Sequence, residues 1–103
     1  MNGKKNLAKE FYNMKTLEVG CSWAGHCAHG KDTIEVDSFD ALIAELEKFF
    51  EDMCGMSGVD SFYVYCDDEG YEWDNDYLPR NKDLSNVWKS VKKELNDFFN
   101  ACS

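Results

Sequence analysis

Twice along this chain the spacing of apolar side chains switches from every second residue to every third or fourth. That switch constrains the fold more than any other feature. Leu17, Val19, Cys21 and Trp23 alternate with Thr16, Glu18, Gly20 and Ser22, and Ile34 and Val36 alternate with Thr33 and Glu35. Period two puts alternate side chains on one face, so both runs read as half-buried β-strands. Residues 24–32 form the loop between them, which predicts a β-hairpin with a long tip. Directly afterwards Phe39, Leu42, Ile43, Leu46, Phe49, Phe50 and Met53 recur at helical spacing. Asp37 or Ser38 is placed to cap that helix and Gly55 to end it.

The second half repeats the plan. Phe62, Val64 and Cys66 alternate with Tyr63 and Tyr65, and Tyr71 and Trp73 return on a second arm. Asp67-Asp68-Glu69-Gly70 is turn chemistry, with Gly70 suited to a positive φ. If Cys66 faces Tyr71 and Val64 faces Trp73, the inner face is Phe62, Val64, Cys66, Tyr71 and Trp73. Tyr63, Tyr65, Glu72 and Asp74 then face outward, and a slip of one residue would exchange the faces. After Pro79, Asp83 is placed to cap a helix with the stripe Leu84, Val87, Trp88, Val91, Leu95, Phe98 and Phe99. A further short helix is expected over residues 3–13.

The order α-ββα-ββα assigns the chain to the α+β class. Each hairpin offers one apolar face and each long helix one apolar stripe. The economical solution is a four-stranded antiparallel sheet with helices packed on one face. At 103 residues, with one proline and no low-complexity linker, residues 1–103 form a single acidic domain. The halves also echo each other: Glu45-Leu46-Glu47-Lys48-Phe49-Phe50 matches Glu94-Leu95-Asn96-Asp97-Phe98-Phe99 at four of six positions. A duplicated ββα unit and convergence of two amphipathic helices both account for it.

The net charge of −9 is unevenly spread. Residues 1–15 carry +3, residues 16–79 carry −14 and residues 80–103 carry +2. Direct contact between the middle of the chain and nucleic acid is disfavoured, because phosphates are also negative. An anionic membrane surface is disfavoured likewise. Basic protein surfaces and metal cations remain as partners. The N-terminus lacks the apolar run of a secretory signal, and no segment approaches the about 18 apolar residues of a membrane span. A cytoplasmic setting is expected, with the five cysteines as buried thiols rather than a disulfide framework.

The acid load peaks between Asp67 and Tyr77, where Asp67, Asp68, Glu69, Glu72, Asp74 and Asp76 occur with no lysine or arginine. Same-face residues on a strand lie about 6.7 Å apart, so regularly placed carboxylates can imitate a phosphate backbone. Tyr63 and Tyr65 add contact area and can stack on arginine. Glu47, Glu51 and Asp52 fall in the C-terminal half of the first long helix, where the helix dipole favours cations. Acids in that place suit a surface that serves a partner. A solvated hairpin tip, with the acids keeping the protein soluble, is the plainer account.

A second cluster, Cys21, His26, Cys27 and His29, has soft ligands of the kind zinc prefers. Its spacing fits no common structural finger. Cys27 beside His26 or His29 lacks an orienting third group for nucleophilic catalysis. A calcium loop centred on Gly70 fails because Tyr65 would stand where an aspartate is needed. No phosphate-cradling glycine loop is present, and no cofactor is expected.

These residues predict a non-enzymatic binding protein. Its acidic hairpin and neighbouring helix surface would occupy a basic groove on a nucleic-acid-binding protein or nuclease, as an inhibitor that imitates nucleic acid. The chain is similar to small acidic antirestriction and anti-CRISPR proteins of phages in composition and size alone. Immunity proteins that neutralise basic nuclease toxins obey the same physics. The alternative is a small zinc-binding regulator built on Cys21, His26, Cys27 and His29.

Overall fold

Strand β1 (Lys15–Trp23) pairs antiparallel with β2 (Ala28–Val36) in a computed structural model that describes residues 14–77 and 83–102. Helix α1 (Phe39–Met53) follows, then β3 (Ser61–Cys66), β4 (Glu69–Asp74) and helix α2 (Leu84–Ala101). Short 3-10 turns at Met56–Gly58 and Asn75–Tyr77 lead into β3 and out of β4. The sheet order is β2-β1-β3-β4, with every neighbouring pair antiparallel. The helix expected over residues 3–13 lies outside the described residues. Among those described, no helix is long and apolar enough to cross a membrane.

The alternation read from sequence sets the faces. Val19, Val64 and Tyr71 stand in one row across three strands, and Cys21, Phe62 and Trp73 in the next. With Leu17, Ile34 and Val36 they form one apolar face beneath both helices, buried except for half-buried Tyr71. From α1 it receives Leu42, Leu46, Phe49 and Phe50, and from α2 Leu84, Trp88, Val91, Leu95 and Phe99. The Phe50 ring meets Phe62 edge-on at 5.0 Å and Trp88 at 5.9 Å, so it joins the sheet to both helices. Each such pair adds about 0.5–1.5 kcal/mol beyond the burial of its area.

The caps follow the sequence. Ser38 Oγ accepts from the Ala41 amide at 3.1 Å, and Asp83 Oδ1 from the Asn86 amide at 3.1 Å. Gly55, with φ +82°, turns the chain out of α1 while its amide returns to the Phe50 carbonyl at 2.7 Å. The last turn of α2 has no basic residue of its own. Lys15 supplies one from β1: its ammonium donates to the carbonyls of Phe99, at 2.9 Å, and Cys102, and lies 4.3 Å from the centroid of the Phe99 ring. A cation at that end complements the helix dipole.

Three expectations need correction. The first hairpin has a short tip, Ala24–Cys27, and β2 begins at Ala28 rather than after Asp32. Gly30 hid this segment because it breaks the alternation. A β-carbon there would lie 2.7 Å from Met53 Sδ and 3.4 Å from the Trp23 ring, so α1 and β1 occupy the space a side chain would need.

The second hairpin turns at Asp67-Asp68, with Asp67 at φ +54°, and Cys66 faces Glu69. Val64 therefore faces Tyr71 and Phe62 faces Trp73, a shift of two residues that preserves both expected faces. Gly70 belongs to β4, not the turn.

Third, Cys66 and Cys102 form a disulfide across 36 residues, whereas Cys21, Cys27 and Cys54 are free thiols. Their distance in sequence concealed the pair; α2 carries Cys102 back to the far end of β3.

The two halves occupy equivalent places. A β2-β1-β3-β4 order sets each hairpin outward from the central β1–β3 pair. Leu46 and Leu95, which correspond in the sequence echo, are both fully buried.

Candidate functional site

The two described helices cover one face of the sheet, and among the described residues no element packs over the other, open face. On that open face the rows read Lys31–Gly20–Tyr63–Glu72 and Thr33–Glu18–Tyr65–Gly70 across the four strands. The glycines set its shape. A β-carbon at Gly20 would collide with the ring of Tyr63, and one at Gly70 with the ring of Tyr65. Both rings therefore lie down on the backbone of a neighbouring strand, with centroids 5.0 Å apart. Tyr63 donates its hydroxyl proton to Glu18 Oε2 at 2.8 Å, and Tyr65 donates to Glu72 Oε1. The result is an aromatic platform with a carboxylate on each side.

The carboxylates favour the neutral phenol. Burial, with the hydrogen bond to Glu18 second, pushes the Tyr63 pKa up to about 12. The hydrogen bond to Glu72 is the main cause of the rise at Tyr65. On the opposite face, burial raises Tyr71 to about 12, with Glu94 adding to it.

The expected binding residues separate into three groups. Asp67, Asp68 and Glu69 are exposed at the hairpin tip, and Glu72 joins Tyr63 and Tyr65 on the platform. Asp74 and Asp76 turn toward the tip of the first hairpin instead. Glu47, Glu51 and Asp52 belong to the helix layer, across the sheet from the platform; Glu47 Oε2 accepts the indole N–H of Trp88 at 2.8 Å. The helix acids and the hairpin acids are thus not one continuous patch. Among the described residues, no lysine or arginine forms an ion pair with a hairpin acid; His26 is the basic side chain that approaches them. Lys89, Lys92 and Lys93 line a groove against Phe39, Asp40 and Ile43 on the helix layer. Arg80 and Lys82, near in sequence, lie outside the described residues.

The corner beyond the platform is built around His26. Its backbone is left-handed (φ +67°), and its backbone N–H donates a hydrogen bond to Asp60 Oδ2 at 3.0 Å. Nδ1 lies 3.1 Å from Ser22 Oγ, which is 2.6 Å from Ser61 Oγ. Nε2 lies 3.1 Å from Asp76 Oδ2 and 3.9 Å from Asp74 Oδ1. Serine, imidazole and carboxylate in series resemble a nucleophile with its base. Here, however, Ser22 is only 4 % exposed and is shared between Ser61 and His26, which suits a clamp between β1, β3 and the end of β4. A cleft of about 470 Å³ opens beside it, lined among others by Ser22, His26, His29, Lys31, Ser61 and Tyr63.

The alternative zinc set, Cys21, His26, Cys27 and His29, is not brought together among the described residues. Cys21 faces the core, where burial raises its pKa to about 12 with Cys54 alongside, and Cys27 is exposed at the hairpin tip. Alternation along β1 and the tight tip send these side chains in different directions. His26 instead joins Asp74 and Asp76, an imidazole and two carboxylates whose ligand atoms lie within 4.8 Å of one another.

Sequence reasoning missed Glu18, Ser22, Ser61 and Asp60. The alternation placed Glu18 and Ser22 on the open face, but only the β1–β3 pairing shows which tyrosine and which serine each meets. Comparison with protein-family models, curated proteins and solved structures gives no match.

Proposed function

We propose that this protein is a non-enzymatic inhibitor that imitates nucleic acid. Its acidic hairpin and open sheet face would occupy a basic groove of a nucleic-acid-binding protein or nuclease. The observation that carries this reading is the set Asp67, Asp68, Glu69 and Glu72, exposed without a lysine or arginine ion pair among the described residues. Such charges repel one another in the free protein and are relieved by a cationic surface. Antirestriction, anti-CRISPR and immunity proteins represent this class of action. A cytoplasmic setting goes with such a partner. There the Cys66–Cys102 bridge would meet reducing conditions.

The test is capture from the native host at two salt concentrations, followed by affinity measurement on the recovered partner. The partner should be a nucleic-acid-binding protein, its capture should weaken with salt, and duplex DNA should compete for it. The combined variant Asp67→Asn, Asp68→Asn, Glu72→Gln and Asp74→Asn should lower affinity at least tenfold without unfolding the domain. Unchanged affinity would sink the proposal.

A second reading, a small metal-binding regulator, is favoured by the convergence of His26 Nε2 with Asp74 and Asp76. Nitrogen and carboxylate donors suit zinc, and the Ser22 contact at Nδ1 would orient the imidazole. Zinc titration of the whole chain by calorimetry distinguishes it. Stoichiometric binding lost in Asp76→Asn and kept in Cys27→Ser supports this reading; no saturable binding removes it.

A further inference from the structure

We propose that the open sheet face is a site for arginine rather than for positive charge in general, with the guanidinium stacked on the Tyr63–Tyr65 platform and held by Glu18 and Glu72. This rests on the reading of the protein as an acidic decoy and names the side chain that its partner must present.

Two flat rings lie on the sheet because Gly20 and Gly70 leave room beneath them, and Tyr65 remains 39 % exposed. A planar, weakly hydrated guanidinium gains from stacking on such a surface, whereas a compact ammonium keeps its water. Each phenol engages one carboxylate, at Oε2 of Glu18 and Oε1 of Glu72, leaving the second oxygen of each as an acceptor. The two rings are inclined at 42° to each other, so the guanidinium plane rests on one ring, the more exposed Tyr65, with Tyr63 flanking it, while its forked donors meet these acceptors.

The approach has a direction. Lys31 stands at the β2 end of the Tyr63 row and repels a cation arriving from that side. Toward β4, a cleft of about 240 Å³ lies between Ser61, Tyr63, Glu72 and Asp74. The arginine therefore enters from the β4 edge, where the hairpin acids also gather. Charge complementarity and a stacking surface coincide there.

Fluorescence anisotropy with labelled hexa-arginine and hexa-lysine peptides, at one fixed salt concentration, tests the proposal on the whole chain. Hexa-arginine should bind about tenfold tighter, as expected for stacking plus forked hydrogen bonding. Tyr63→Leu with Tyr65→Leu should reduce that preference to within twofold, chiefly by weakening the arginine peptide. Tyr65→Leu alone, at the more exposed ring, should remove at least half of the preference on a logarithmic scale. Asp67→Asn with Asp68→Asn should weaken both peptides equally. Equal affinity for the two peptides, or a preference that survives loss of the rings, overturns the arginine site and leaves the acidic decoy standing if binding is still salt-sensitive. Failure of both peptides to bind removes both readings.

Discussion

Gly20 and Gly70 act through what they lack. Neither has a positive φ, so backbone freedom is not their role; each makes room for a tyrosine ring. Gly70→Ala should lift Tyr65 off the sheet and Gly20→Ala should lift Tyr63. Near-ultraviolet circular dichroism should report the change, with about 1–3 kcal/mol of stability lost to the clash. The phenols give a second prediction. Tyr63 and Tyr71 titrate near 12 in the folded protein against an ordinary value of 10.0. Folding thus favours their neutral forms. That stability is fully present below about pH 10 and is lost as pH rises toward 12. Spectrophotometric titration should show these tyrosines ionising late, with denaturant midpoints falling across the same interval. At this scale the sequence revealed which residues face outward but not which ones touch. Alternation places Glu18 and Tyr63 on one face; only β-strand register makes them partners.

At the scale of elements, period and caps were the most legible features. Ser38, Gly55 and Asp83 mark helix ends because they meet local hydrogen-bonding or φ requirements that no distant residue alters. The long-range links were harder to read. Gly30 concealed the start of β2 because its reason for being glycine is Met53 on α1, and the hairpin register depended on a two-residue turn at Asp67-Asp68 where four residues looked equally suitable. Cys66 and Cys102 were invisible as a pair for the same reason. Closing a loop of this length removes unfolded-state entropy worth about 4 kcal/mol in the chain-entropy description. Cys102→Ser should therefore lower unfolding free energy by about 2–4 kcal/mol in denaturant titration. A thiol reagent should modify Cys27 first, Cys54 more slowly and buried Cys21 only on unfolding. On β4, an edge strand, Glu69, Glu72 and Asp74 also deter pairing with the sheet of another copy, so part of the acid load serves the monomer.

For the whole molecule, the acids fall into separate groups: carboxylates and tyrosines occupy the open sheet face and hairpin tip, while the helix layer carries Glu47, Glu51 and Asp52 together with Lys89, Lys92 and Lys93. Composition showed the acid excess, but only the sheet order separates the helix acids Glu47, Glu51 and Asp52 from the hairpin. Neutralising Glu51 and Asp52 should accordingly change partner affinity less than neutralising Glu72 and Asp68, with the ratio read from salt-dependent binding curves. Lys15 has a consequence on this scale too. By gripping the carbonyls of Phe99 and Cys102, it brings the beginning of β1 against the end of α2. The first and last described elements are neighbours, so the two ββα modules need not be synthesised in their present order. A circular permutant opened at exposed Ser57, with Cys102 joined to Met14 through a flexible linker, would translate the second module before the first and should still close into the same sheet.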